Sequence, residues 1–80
     1  MLKLMLLKND PSLYLLGMMT ELDEEPSILI ENCFRVHEDE TLTPFPLHTS
    51  QRDLFLTSDL VFTILDPSAA LADKYKTMVS

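Results

Sequence analysis

The sequence predicts a mainly β fold: five short strands in a strongly bent antiparallel small barrel, followed by a C-terminal α-helix. Three observations carry that expectation. Short apolar segments alternate with tight breaks made of turn-forming residues. The only glycine, Gly17, lies inside an apolar run and not in a turn. The last residues change their apolar spacing from strand-like to helix-like.

The first strand is expected over residues 1–8, "MLKLMLLK", which has the look of a leader's start but is ended too soon by Lys8, with no small-residue cleavage site behind it. "NDP" at 9–11 supplies a turn, because Asn and Asp bond their own backbone and Pro fixes φ. The second strand runs from Ser12 to about Leu22, and "DEEPS" at 23–27 breaks it. The third, "ILIENCFRV" at 28–36, is rich in β-branched and aromatic residues. Strict alternation puts Ile28, Ile30, Asn32, Phe34 and Val36 on one face, with Leu29, Glu31, Cys33 and Arg35 on the other.

"HEDET" at 37–41 reads as an acidic turn, and the two prolines of "LTPFPLHTS" at 42–50 make that stretch a loop or an edge segment. "QRDLFL" at 51–56 and "LVFTIL" at 60–65 are the fourth and fifth strands, separated by the break "TSD" at 57–59. A helix is expected from about Pro67 to Met78, with Asp66 as N-cap and Leu71, Tyr75, Met78 and Val79 on one face.

Gly17 is explained by a sharp corner. A strand that serves both sides of a small barrel must bend, and a side chain inside the bend would clash. A bulge at a sheet edge is the alternative.

Composition narrows the function. Eighty residues make one domain, 1–80, with a barrel over 1–65 and a helix over 66–80. A chain of this size buries only about 60% of its unfolded surface, so partners are a natural source of stability. One cysteine, Cys33, permits no internal disulfide and suits a reducing compartment, the cytoplasm. The longest apolar stretch, residues 13–19, is far short of the ~20 needed to span a bilayer. The net charge of −7 opposes non-specific nucleic-acid binding, which needs basic groups against phosphates. Lys3, Lys8, Arg35 and Arg52 read as scattered solvent contacts more readily than as a basic patch.

No catalytic chemistry is indicated. His37 and His48 lack the short spacing to a second ligand that zinc sites use, and no EF-hand pattern occurs. No nucleophile motif surrounds Ser58 or Cys33, and one glycine cannot build a phosphate loop. The expectation is a non-enzymatic protein without cofactor or metal.

"LYLLGMMTELDEEPSILIEN" resembles the first motif of the Sm-like (LSm) family, with Gly17 at the motif's glycine and Asp23 at its aspartate. "LFLTSDLVFTIL" is similar to the second motif, with Asp59 at its Asn/Asp position. Ser27 stands where the family has asparagine, Thr57 and Ser58 where it has Arg-Gly, and the helix follows the strands where the family's precedes them. The pattern looks like a divergent, phage-encoded branch.

The resemblance implies a homo-oligomeric ring of roughly five to seven subunits, closed head to tail by edge strands. Its interface would use Leu54, Phe55, Leu56, Leu60, Val61, Phe62 and Ile64. It also implies single-stranded RNA binding or RNA processing, with Asp23, Glu25, Ser27, Thr57, Ser58 and Asp59 at the RNA positions. The residues at those positions include no arginine and no aromatic ring for stacking, which keeps a protein-scaffolding ring without RNA as the alternative.

Overall fold

The computed structural model describes residues 1–79. Six strands and one helix follow in chain order: β1 (Leu2–Leu7), β2 (Asp10–Glu21), β3 (Ile28–Val36), β4 (Leu42–Pro44), β5 (Leu54–Leu56), β6 (Val61–Leu65) and α1 (Ala69–Val79). A 3₁₀ turn, Ser58–Leu60, joins β5 to β6. The strands form one antiparallel sheet in the order β4-β3-β2-β1-β6, with β5 also pairing β3.

Two expectations are corrected. The described residues form six strands and not five, because the proline-bearing segment after the acidic turn contributes the three-residue β4 at the sheet's edge. Pro44 and Pro46 stop that strand almost at once, since neither can donate to a ladder. The sheet also does not close into a barrel. β6 pairs only with β1, and β5 only with β3, so among the described residues no ladder joins the two ends.

Apolar side chains fill both faces of the sheet. One face holds Met5, Leu15, Ile28, Ile30 and Cys33, with Leu54, Leu56 and Val61 packed against them. The other holds Leu16, Phe34 and Leu42 beneath Leu71 and Tyr75 of α1. Burying a side chain of this kind contributes about 1.5–3 kcal/mol.

The strict alternation expected for β3 does not hold. Leu16 pairs with Phe34 and Met18 with Glu31, so β3 carries one extra residue opposite Gly17. Asn32 takes up that residue in the left-handed region, at φ 50°. One inserted residue reverses the parity of a strand. That is why Ile30 and Cys33 share one cluster while Phe34 lies in the other.

Gly17 therefore faces a bulge, but in the central β2–β3 pair and not at an edge. A Cβ there would overlap Ile30 Cγ2 and lie 3.0 Å from the Glu31 carbonyl oxygen. Its own φ is not positive, so close approach and not backbone freedom demands the glycine.

The bulge's backbone groups are answered from other segments. The Asn32 amide donates to Asp53 Oδ1 at 3.0 Å, and the Cys33 amide to the Arg52 carbonyl at 3.0 Å. The Phe45 amide donates to the Cys33 carbonyl at 3.1 Å. The Tyr75 hydroxyl reaches the carbonyls of Asn32 and Glu31 at 3.0 and 3.2 Å. The loop over 45–53 and the helix are thus both tied to the same irregular point of β3.

The helix begins later than expected. The Ser68 hydroxyl, not Asp66, caps it by accepting from the Leu71 amide at 3.2 Å. Asp66 instead pairs with Lys3 Nζ at 2.6 Å. Of the expected apolar face, Leu71 and Tyr75 are buried, while Met78 and Val79 stay exposed.

Candidate functional site

The open seam of the sheet gathers two turns that are far apart in sequence. In the β2–β3 turn, the Leu22 amide donates to the Ser27 carbonyl at 2.7 Å and closes the loop over 23–26. That closure carries Glu25 to the 3₁₀ turn before β6. Its Oε2 accepts from the Ser58 amide at 2.9 Å and from the Ser58 hydroxyl at 3.3 Å. Hydrogen bonds from Ser27 first, and from the Ser58 backbone next, hold the Glu25 carboxyl below the usual carboxylate range.

Between this latch and β6 lies a groove of about 380 Å³. Leu22, Ile28, Val61 and Ile64 form its apolar part, and Glu21, Ser27 and Ser58 its polar part. Phe62 also lines it and is 64% exposed. From Leu60 to Leu65 there is no charge and no proline, the usual devices that protect a free edge. The outer edge of β6 pairs with no strand among the described residues.

The residues expected to meet RNA are partly brought together. Ser27 and Ser58 line the groove, and Glu25 binds Ser58 beside it. Asp59, exposed, adjoins them and works against the charge on Glu25. Thr57 caps the 3₁₀ turn through its backbone, its carbonyl accepting from the Leu60 amide at 3.1 Å. Asp23 is exposed in the turn, outside the groove's lining. The cluster presents carboxylates, not cations.

The residues expected at a subunit interface divide by face. Leu54, Leu56 and Val61 pack on the core, while Phe55, Leu60, Phe62 and Ile64 are exposed. Phe55 is 54% exposed on β5, at the opposite end of the sheet from β6.

The basic residues do not form one patch. Lys3 is paired with Asp66, and the Arg52 guanidinium donates to the carbonyls of Pro46 and Thr49 in its own loop. Among the described residues, no three His, Cys, Asp or Glu side chains converge as metal ligands. No described helix is long and apolar enough to cross a membrane.

Sequence reasoning missed Glu21, Leu22 and Ile28 as groove residues, because only folding places the end of β2 against β6. A second and larger hollow, at the far end of β3, had no sequence signal beyond its acidic turn.

Comparison with known proteins gives one family. A family model described as a family of unknown function, DUF6561, matches residues 1–80. No curated protein matches the chain. The Sm-like resemblance is thereby corrected: the matching family is a different one, and it spans the whole length on which the two motifs were read. The glycine that suggested the first motif has a local cause in this sheet: at the bulge, a Cβ would overlap Ile30 and press on the Glu31 carbonyl.

Proposed function

We propose, on the premise that the chain belongs to the DUF6561 family of unknown function, that it is a non-enzymatic assembly module that joins copies of itself through its open sheet edges. One observation carries the reading: β6 offers an unpaired, uncharged edge, with Phe62 exposed on the lining of an apolar groove. A long bare edge of this kind aggregates unless it is covered.

The chain carries a second open end at β5, where Phe55 is exposed. Pairing β5 of one copy with β6 of the next covers both if the chain of copies closes on itself, and leaves only the edge of the three-residue, proline-ended β4. Each interface of such a closed assembly would bury at least about 1,000 Å². Its role is that of a protein scaffold. RNA binding is the weaker reading, because Glu21, Glu25 and Asp59 put negative charge where phosphates would have to approach. The buried single thiol of Cys33 suits the reducing cytoplasm.

Light scattering on wild type, Phe62→Glu and Ile64→Lys tests the proposal. Wild type is expected at several chain masses, and both variants at one, with unchanged circular dichroism. Since each copy carries a charge of −7, assembly should strengthen as salt rises. A wild-type mass of one chain at every salt concentration refutes the reading. Saturable binding of an oligo-uridine at low salt, absent for an oligo-adenine, would return RNA to first place.

A further inference from the structure

The larger hollow lies at the other end of β3, away from the β6 edge. It encloses about 1080 Å³ between the start of α1, the start of β2 and the β3–β4 turn. Its floor is apolar and aromatic: Leu4, Tyr14, Val36 and Leu71. Tyr14 is 39% exposed, with its ring available from solvent. One wall is the turn at residues 37–41, which brings Glu38, Asp39 and Glu40 to the rim. Arg35 is the opposing charge on the lining.

The turn is fixed and not loose. The His37 and Glu40 backbones bond across it, the His37 amide to the Thr41 carbonyl at 2.9 Å and the Glu40 amide to the His37 carbonyl at 2.8 Å. The Thr41 amide donates to Asp39 Oδ1 at 3.0 Å, and His37 Nε2 is hydrogen-bonded to Thr43 Oγ1 at 2.8 Å. Lys74 Nζ donates to the Glu40 carbonyl at 3.3 Å, which ties the turn to the helix. Glu38 has no ion pair among the described residues.

Size, floor and rim together select the occupant. Small-molecule pockets usually enclose about 300–1,000 Å³ and bury most of their ligand. This trough is at the top of that range and open along its length, and the openness suits an extended segment of chain. Three carboxylates against the Arg35 guanidinium and the Lys74 ammonium at Glu40 leave the rim net negative and favour a cationic guest, and an exposed tyrosine face attracts ammonium or guanidinium groups. Nucleic acid is disfavoured by the same carboxylates, and the self-association proposed above uses the uncharged β6 edge and not this rim. We propose that the trough between α1 and the β3–β4 turn is a docking site for a basic peptide segment of another protein, seated by an apolar anchor on Tyr14, Val36 and Leu71 and held at the rim by Glu38, Asp39 and Glu40.

The test is a titration of isotope-labelled protein with the synthetic peptide acetyl-Lys-Leu-Lys-Phe-Lys-Leu-Lys-amide, read by amide chemical shifts. Saturable shifts at Tyr14, Val36 and Leu71 are expected, with affinity falling severalfold between low salt and roughly 0.3 M. Glu38→Lys should weaken binding about tenfold, the scale of one lost charge contact. Glu24→Lys makes the same change in net charge on the distant β2–β3 turn and should leave affinity within about twofold. Equal losses in the two variants would reduce the effect to general attraction by an acidic protein and overturn the proposal. Shifts confined to β6, or no saturation at millimolar peptide, would also overturn it.

Discussion

The Tyr75 hydroxyl lies 3.0 Å from the carbonyl oxygen of Asn32, so the C-terminal helix is fastened to the one left-handed residue of the central strand pair. The same ring meets Phe34 edge-on, with centroids 5.7 Å apart and planes at 89°. Tyr75 therefore serves two purposes that mutation can separate. Tyr75→Phe keeps the edge-to-face contact and loses the hydrogen bond to the bulge. It should cost about 1 kcal/mol and lower Tm by about 4–8 °C. Tyr75→Ala loses both and should cost about 3–5 kcal/mol. Thermal melts followed by circular dichroism check the pair, and equal melting of Tyr75→Phe and wild type would remove the hydrogen bond from the account.

Gly17 gives a prediction whose sign is informative. In an ordinary strand, replacing glycine by alanine gains about 0.5–1 kcal/mol, because glycine loses the most freedom on folding. Here a Cβ overlaps the Ile30 side chain and presses on the Glu31 carbonyl. Gly17→Ala should therefore destabilise by about 1–3 kcal/mol, and Gly17→Val should melt lower still. A more stable Gly17→Ala in urea titration would mean that β3 is not held close at the bulge.

The strand sequence and the helix were legible because their patterns are local. Segments 1–8, 12–22, 28–36 and 60–65 alternate or run apolar, and the helical face of Leu71 and Tyr75 repeats at four residues. The bulge was not legible, since Asn32 in "ILIENCFRV" fits an unbroken strand as well as a bulged one. Only the packing of Gly17 against it decides the parity, and that is a contact between strands. The family resemblance misled for the same reason: a glycine placed by a bulge imitates a motif glycine. The latch from Glu25 to Ser58 spans 33 residues of sequence, so no local pattern announces it. Nor does "QRDLFL" reveal that β5 is only three residues long and leaves the seam to β6 unpaired.

The start of α1 separates a cap from a surface ion pair. Ser68→Ala removes the oxygen that receives the Leu71 amide and should cost about 1 kcal/mol. Asp66→Ala removes the partner of Lys3, but the Asp66 side chain is 81% exposed. Its effect should be below about 1 kcal/mol and should vanish in high salt, where screening removes an exposed pair. If Asp66→Ala costs more than Ser68→Ala at high salt, Asp66 is the cap after all.

The Glu25 latch makes stability depend on acid. Its carboxyl sits below the usual glutamate value because Ser27 and Ser58 donate to the charged form. A depressed value in the folded state means that the unfolded chain takes up the proton first. The latch's contribution is therefore complete above about pH 4.3, the ordinary glutamate value, and is lost as pH falls through the lower, folded one. Glu25→Gln should melt below wild type at neutral pH and coincide with it in acid. A gap that stays constant from neutral to acid pH would show that the charge on Glu25 plays no part.

Cys33 turns the same linkage around. It is fully buried, and desolvation pushes its thiol up to about 12, with nearby Arg52 opposing only in part. The folded chain holds the proton more tightly than the unfolded one, so this group's contribution is full below about pH 8.5 and is lost as pH rises toward the folded value. At pH 8 the native thiol is therefore both protonated and covered, and thiolate is the reactive form. Ellman's reagent should leave the native protein unlabelled over minutes and react fully once denaturant is added, at a rate set by unfolding. Cys33→Ser places a hydroxyl in the same apolar cluster and should cost about 1–3 kcal/mol, while Cys33→Ala should cost less. Rapid labelling of the native protein would mean that the bulge opens on its own, with the Arg52 and Phe45 backbone bonds at Cys33 failing to hold the loop over it.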